Sequence, residues 1–157
     1  MKLTTKGRFA VTAMVDLALH ETEAPISLTQ IAERQQMSVA YLEQIFCKLR
    51  RAGLVASVRG PGGGYRLGRS ASEISVGAII IAMDEDIDAT QCRGDGTCLG
   101  GAACLTHHLW EDLNRITQKF LDGVTLAGMV EAHQQRHGQQ VVPAVIPVRR
   151  SPAQGQA

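Results

Sequence analysis

The chain has 157 residues, 45% of them hydrophobic and 20% charged, with a formal net charge of +1. That length supports one domain with an extension rather than two large cores, and the longest charge-free apolar run, residues 76–83, falls far short of the ~18 residues a membrane helix needs. The near-neutral total hides an asymmetry: residues 1–70 carry ten Lys and Arg against five Asp and Glu, the remainder six against ten, so an anionic partner, nucleic acid foremost, is expected for the first part.

Lysines precede a short apolar run at the N-terminus, but Asp16 interrupts it and no clean small-residue cleavage site follows, so no signal peptide is expected. Bunched cysteines do not form the spread framework of a secreted disulfide scaffold. The expected compartment is the cytoplasm, with no membrane partner.

Residues 8–20 place Phe9, Val11, Ala13, Met14, Leu17 and Ala18 along the stripe of a core-facing helix. In "ISLTQIAERQ", Ser27 predicts an N-cap, Gln30 completes a capping box, and Ile26 is positioned to staple onto Ile31. A further capped helix follows in "MSVAYLEQIFCKLRRAG", with Ser38 as N-cap, Met37 stapling onto Leu42, and Gly53 as terminator. Two short helices joined tightly, the second polar and basic on one side, make the pattern of a helix-turn-helix.

On that second helix Val39, Leu42, Ile45, Phe46 and Leu49 form an apolar face, leaving Ala40, Glu43, Gln44, Cys47 and Arg51 outside. Gln44 can pair with adenine N6 and N7, and Glu43 can accept from cytosine N4. Ser38 and Tyr41 lie at the end where a recognition helix meets bases and phosphates. Near phosphates a carboxylate is repelled unless it meets a donor, so Glu43 selects against sites as much as for them. The bland alternative for each is a solvated polar side chain.

Residues 54–59 and 65–69 read as strands around Gly60-Pro61-Gly62-Gly63-Gly64, a hairpin that forms the wing of a winged helix. Arg59 at its tip suits a narrow minor groove. The glycine run lacks the Gly-Lys-Ser/Thr ending of a phosphate-binding P-loop.

Ser75 caps a helix expected through "VGAIIIAMDED", after which Cys92-x5-Cys98-x5-Cys104-x2-His107 follows in a glycine-rich stretch. The Cys-x2–4-Cys pairs of zinc ribbons are missing, and three thiolates with one imidazole suit either zinc or a binuclear iron-sulfur cluster. Redox-active thiols without metal are a third reading. "CLTHHLWEDLNRITQKFLDG" predicts one long helix carrying Leu105, Leu109, Leu113, Ile116 and Phe120 or Leu121 near heptad spacing. That stripe suits an antiparallel dimer contact or packing against its own domain. On such a helix Cys104 shares a face with His107 and also with His108, so spacing leaves the histidine open. "TLAGMVEAHQ" predicts another short helix, and residues 136–157 read as a disordered tail with no assigned activity.

Through "KLTTKGRFAVTAM", "YLEQIF", "GLVASVRGPGGGYRL" and the cysteine segment ending in "CLTH", the chain resembles, over about residues 1–135, a bacterial family of winged-helix transcriptional regulators that sense iron-sulfur clusters, nitric oxide and cysteine supply. The resemblance implies a homodimer holding a [2Fe-2S] cluster through Cys92, Cys98, Cys104 and His107, with His108 a neighbour. It implies double-stranded DNA at two-fold-related promoter sites, contact with the iron-sulfur cluster donor machinery, and control of cluster-assembly genes by feedback repression. Two departures stand out: Cys47 has no place in the family's ligand pattern, and Ala40 stands where a hydroxyl residue is expected, removing one polar DNA contact.

The expected architecture is mainly α with a small β-hairpin. Residues 1–70 form the winged helix-turn-helix and residues 71–135 the cluster-binding loop and dimerisation helices. No nucleophile-base or carboxylate pair has persuasive spacing for an enzyme. The alternatives are an iron-sulfur or thiol redox protein and a zinc-stabilised DNA-binding protein; a steep salt dependence of sequence-specific binding separates a DNA regulator from an electron carrier.

Overall fold

The structure, a computed structural model, describes residues 3–21, 24–85 and 87–138. Its elements are α1 (Thr5–His20), α2 (Leu28–Gln35), α3 (Val39–Arg51), β1 (Val55–Val58), β2 (Gly64–Leu67), α4 (Val76–Ala82), α5 (His107–Gly123) and α6 (Leu126–Gly138). None of these helices is long and apolar enough to cross a membrane.

Serine hydroxyls start three of the helices. Ser27 accepts from the Gln30 amide while the Gln30 side chain accepts from the Ser27 amide, closing the expected capping box; Ser38 accepts from the Tyr41 amide and Ser75 from the Ala78 amide. At the far end of α3, the Leu54 amide reaches the Leu49 carbonyl and the Gly53 amide the Arg50 carbonyl, the paired bonds of a Schellman stop. β1 and β2 pair antiparallel from Val55 opposite Leu67 to Val58 opposite Gly64. Ile26 joins them through two backbone bonds with Tyr65, of 2.9 and 2.7 Å, which fixes the wing against the start of α2.

A single apolar cluster holds the molecule together. Ala10, Ala13, Met14 and Leu17 of α1 lie at its centre, fully buried, against Ile31 of α2 and Leu42, Ile45, Phe46 and Leu49 of α3. Ile74, Ile79, Met83 and Leu126 belong to the same cluster, so residues on both sides of position 70 share one core. Within it Asp16 is 1% exposed, yet its carboxylate accepts from Arg34 at 2.6 Å and from the Gln35 amide nitrogen at 2.7 Å, clamping α1 to α2.

Several boundaries differ from those expected. α1 begins at Thr5, and the α3 residue Val39 is 37% exposed because it occupies the first turn, ahead of the buried face. α4 stops at Ala82, since Asp84 turns left-handed (φ 56°) and Glu85 folds back onto α1. There the Glu85 carboxylate accepts from the amides of Thr4 (2.7 Å) and Gly7 (2.9 Å) and from the Thr4 hydroxyl. Burial pushes the Glu85 carboxyl up, but these donors outweigh it and hold the group below its ordinary value. A Cβ at position 7 would lie 2.8 Å from a Glu85 oxygen, so a larger residue there would push the end of the Glu85 side chain away from the α1 amides. α6 extends through Gly138, making residues 136–138 helical rather than tail; residues 139–157 lie outside the described residues.

Candidate nucleic-acid interface and metal-binding loop

The outer side of α3 presents Ala40, Glu43 and Gln44 to solvent, and with Cys47, Lys48 and Arg51 they line a shallow groove along the helix. Ser38 is exposed with its hydroxyl committed to the cap, and Tyr41 is half-buried, its ring edge-on to Phe9 at 5.8 Å. Arg59 is exposed just past β1, at the start of the glycine-rich turn. The six residues expected to face DNA therefore lie on one helix and one adjoining turn, with the groove's cations at the C-terminal end of that helix. There Lys48, Arg50 and Arg51 also offset the partial negative charge of the last turn.

The second feature is the loop before α5. Donor atoms of Cys92, Cys98 and His107 all lie within 4.8 Å of one another. The Cys98 and Cys92 sulfurs are 3.2 Å apart, and His107 Nδ1 lies 3.6 Å from Cys92 Sγ and 3.4 Å from Cys98 Sγ. The two S–N separations match the edge of about 3.5 Å expected of a tetrahedral site with arms of ~2.0–2.3 Å, whereas the S–S separation is shorter than the edge of about 3.8 Å between two thiolate ligands, so the two sulfurs would move apart by about half an ångström to hold one thiophilic ion. All four cysteines of the chain are free thiols. His107 is 5% exposed at the first turn of α5, whereas His108 points outward, 86% exposed, and meets Glu111 at 3.4 Å. The structure thus brings His107, and not His108, to the thiols.

Cys104 falls outside that triad. Its sulfur lies 3.7 Å from the Thr106 hydroxyl, lining the same cavity of about 320 Å3 with Cys98, His107 and Trp110. It is not on the helix as periodicity suggested, because α5 starts only at His107. The Thr106 side chain makes no cap and instead accepts from the Trp110 indole at 3.1 Å. Gly94, Gly96, Gly100 and Gly101 all have positive φ, which lets the loop reverse repeatedly around the donors.

The thiols are not equivalent. Donation from Cys98, with backbone amides of Gly96, Thr97 and Gly94, lowers the Cys92 thiol to about 6 against the opposing effect of burial. The Cys104 amide draws the Cys98 thiol down, but its donation to Cys92, burial and the nearby Cys104 sulfur together raise it. Hydrogen bonds from Thr106 lower the Cys104 thiol. A thiol reacts as thiolate, so in metal-free protein Cys92 is the first to be modified as pH rises. Alkylation by iodoacetamide, followed by peptide mass spectrometry, should climb through about pH 6 at Cys92 and only at higher pH at Cys98. Identical profiles at the two positions would contradict this ordering.

Beyond the loop, Leu109, Leu113, Ile116 and Phe120 run along α5 and are 37–67% exposed. Only His107 is buried on this helix, so its apolar stripe is left uncovered among the described residues. Asn114 on α5 ties the helix to the segment leading into the loop, accepting from the Ala89 amide at 2.8 Å and donating to Asp88. Composition showed no sign of this tether, nor of Glu85 as a cap; both span distant parts of the chain.

A helix-turn-helix, a wing and a solvent-facing stripe on a long helix beside a Cys/His loop define a winged-helix transcriptional regulator, a class that binds DNA and is not enzymatic. The chain belongs to the Rrf2 family, whose model, described as an iron-dependent transcriptional regulator, matches residues 3–132. It is 59% identical over 131 residues to the HTH-type transcriptional regulator IscR of Vibrio atlanticus (strain LGP32), covering 83% of this chain and 76% of that protein. Identity to IscR of Serratia proteamaculans (strain 568) is 60% over 130 residues, covering 83% and 79%. Among solved structures, T. potens IscR superposes with a TM-score of 0.72 at 39% identity, covering 90% of this chain and 93% of that one. CymR, the global cysteine regulator of B. subtilis, superposes at 0.74 with 35% identity, covering 84% and 98%.

Proposed function

We propose that the protein is a cytoplasmic, homodimeric transcription factor that holds a [2Fe-2S] cluster through Cys92, Cys98, Cys104 and His107 and controls iron-sulfur cluster assembly genes, including by feedback repression. The observation that carries the reading is the convergence of Cys92, Cys98 and His107 in a winged-helix chain similar to IscR proteins. Cys104, on the wall of the same cavity, is the fourth donor available to the site. When bound, the cluster supplies a labile crosslink whose occupancy reports cluster supply.

The chain's own residues do the rest. Residues 1–70 read DNA and residues 71–135 hold the cluster and the dimer contact. The stripe of Leu109, Leu113, Ile116 and Phe120 packs against its copy, which places two α3 helices on a two-fold axis and makes successive major grooves their target. Ser38, Tyr41, Glu43 and Gln44 face the bases and phosphates, Ala40 offers a methyl contact, and Arg59 enters the minor groove beside them. Glu43 rejects sites that lack a donor, and cluster occupancy shifts site choice only to the extent that the two forms differ in affinity. Cluster donor proteins are the partners that load the loop.

Anaerobic purification with visible absorption and iron and acid-labile sulfide analysis tests the cluster; a colourless protein with stoichiometric zinc would replace it with a zinc-stabilised DNA-binding protein. Selection of duplexes from a random library tests the DNA reading. Arg59→Ala should weaken binding to the selected duplex by roughly tenfold, about 1.4 kcal/mol, and unchanged affinity would remove the wing from the interface.

A further inference from the structure

Resting on the DNA-binding reading above, we propose that Lys48 is a phosphate-contacting residue held in reserve, with Asp84 as its internal counterion, so that the bond between them sets the affinity of the reading face. Lys48 lines the groove along α3 together with Glu43, Gln44 and Arg51. Its ammonium donates to the Asp84 carboxylate, which comes from the turn after α4, thirty-six positions away. A lysine neutralised in this way adds little to the attraction of the groove for a polyanion, and the adjacent carboxylate subtracts from it.

The turn that carries Asp84 is bracketed on both sides. Its amide bonds to the Ile81 carbonyl at 3.0 Å, the Lys6 ammonium lies 3.4 Å from the Met83 carbonyl, and the next residue, Glu85, is fixed on the start of α1. Asp84 itself adopts the left-handed conformation, which Asp tolerates better than most side chains. The carboxylate is therefore delivered to α3 by the backbone rather than by chance proximity. The Asp84 carboxylate is the strongest influence on the proton affinity of Lys48, which it increases, while Lys48 lowers that of Asp84; Lys6 stands beside both, so the carboxylate serves two ammonium groups, with Lys48 its hydrogen-bonded partner.

The pair is weak enough to exchange. Asp84 is 79% exposed and Lys48 30%, and ion pairs so open to solvent contribute little to stability. While the bond to Asp84 holds, the ammonium is withheld from the groove; once it opens, a DNA phosphate can take the ammonium and release a condensed counterion. The turn also connects to the metal-binding loop through the chain itself. Asp84 precedes Cys92 by eight residues, and the intervening segment is pinned to α5 by Asn114 and to the loop by the Thr90 hydroxyl, which accepts from the Gly94 amide at 2.8 Å.

The test uses the full chain, a duplex of about 30 base pairs enriched from a random library by the wild-type protein, and titrations over a range of salt. Asp84→Asn should tighten binding about fivefold at ~0.1 M salt and steepen the plot of log K against log salt by about 0.9, the signature of one added phosphate contact. In the Lys48→Gln background the same substitution should leave the slope unchanged. An equal gain with and without Lys48 would show a diffuse charge effect and overturn the proposal, as would no gain at all. Thermal unfolding of each variant should stay near the wild-type midpoint, because Asp84 is largely exposed and an ion pair so open to solvent contributes little to stability. If the wild-type chain enriches no duplex, the DNA-binding reading fails, and the reserve lysine fails with it.

Discussion

With the proposed [2Fe-2S] cluster in the wild-type protein, Cys98→Ser protein purified without oxygen is expected to carry at most about a tenth of the wild-type iron and to lose its visible absorption, since a serine hydroxyl neither ionises near neutral pH nor matches a thiolate's softness. Cys98 is the most consequential of the thiols because it lies within 3.4 Å of both Cys92 Sγ and His107 Nδ1, and its own proton affinity shows Cys104 alongside. Removing it opens the triad from the middle. His107→Ala should cause a comparable loss, for the buried imidazole is the nitrogen facing the thiols. His108→Ala should leave iron content unchanged, because that ring is solvated and pairs with Glu111. Iron and sulfide analysis of the three variants checks the assignment, and full retention in Cys98→Ser would refute it.

Arg34→Ala is expected to cost about 3–5 kcal/mol of folding free energy and to lower the unfolding midpoint by roughly 10 °C. The reason lies with Asp16, which is 1% exposed beneath Arg34. Arg34 meets that carboxylate with both Nε and a terminal nitrogen, a planar fork that satisfies it from one side, while Gln35 donates from another. Without the guanidinium, Gln35 and the partly exposed His20 remain as the neighbours of a charge inside the core. Arg34→Lys keeps the charge but loses the fork, so an intermediate loss is expected. Calorimetric unfolding decides the matter: a loss below about 1 kcal/mol for Arg34→Ala would mean that solvent reaches Asp16.

Local chemistry made much of this architecture legible before any coordinates. Ser27 with Gln30, Ser38, Ser75 and Gly53 each act within a few residues of themselves, so their caps and stops follow from neighbours in the chain. The glycine-rich turn likewise marked the wing, with its strands displaced by only a residue or two. Periodicity failed where apolar residues have no partner among the described residues. Leu105 fits the stripe of α5 yet is fully exposed, and counting it drew the helix back over Cys104. The acidic end of α4 misled for a different reason: Asp84 and Glu85 are bonded to α3 and α1, far away in sequence, rather than extending their own helix. Spacing alone also could not choose His107 over His108; that choice depends on which way the first turn of α5 faces the loop.

The bond from Glu85 to the start of α1 has a consequence for modularity. α1 has no acidic side chain in its first turn, so the carboxylate that offsets its amino-terminal partial charge is borrowed from seventy-eight positions downstream of Gly7. Ile74, Ile79, Met83 and Leu126 are borrowed in the same way to complete the cluster around Met14 and Phe46. A winged helix excised at residue 70 would forfeit its first helix's counterion and part of its interior together. Grafting this winged helix onto another protein therefore means transplanting its downstream helices as well, because residues beyond position 70 serve as its scaffold.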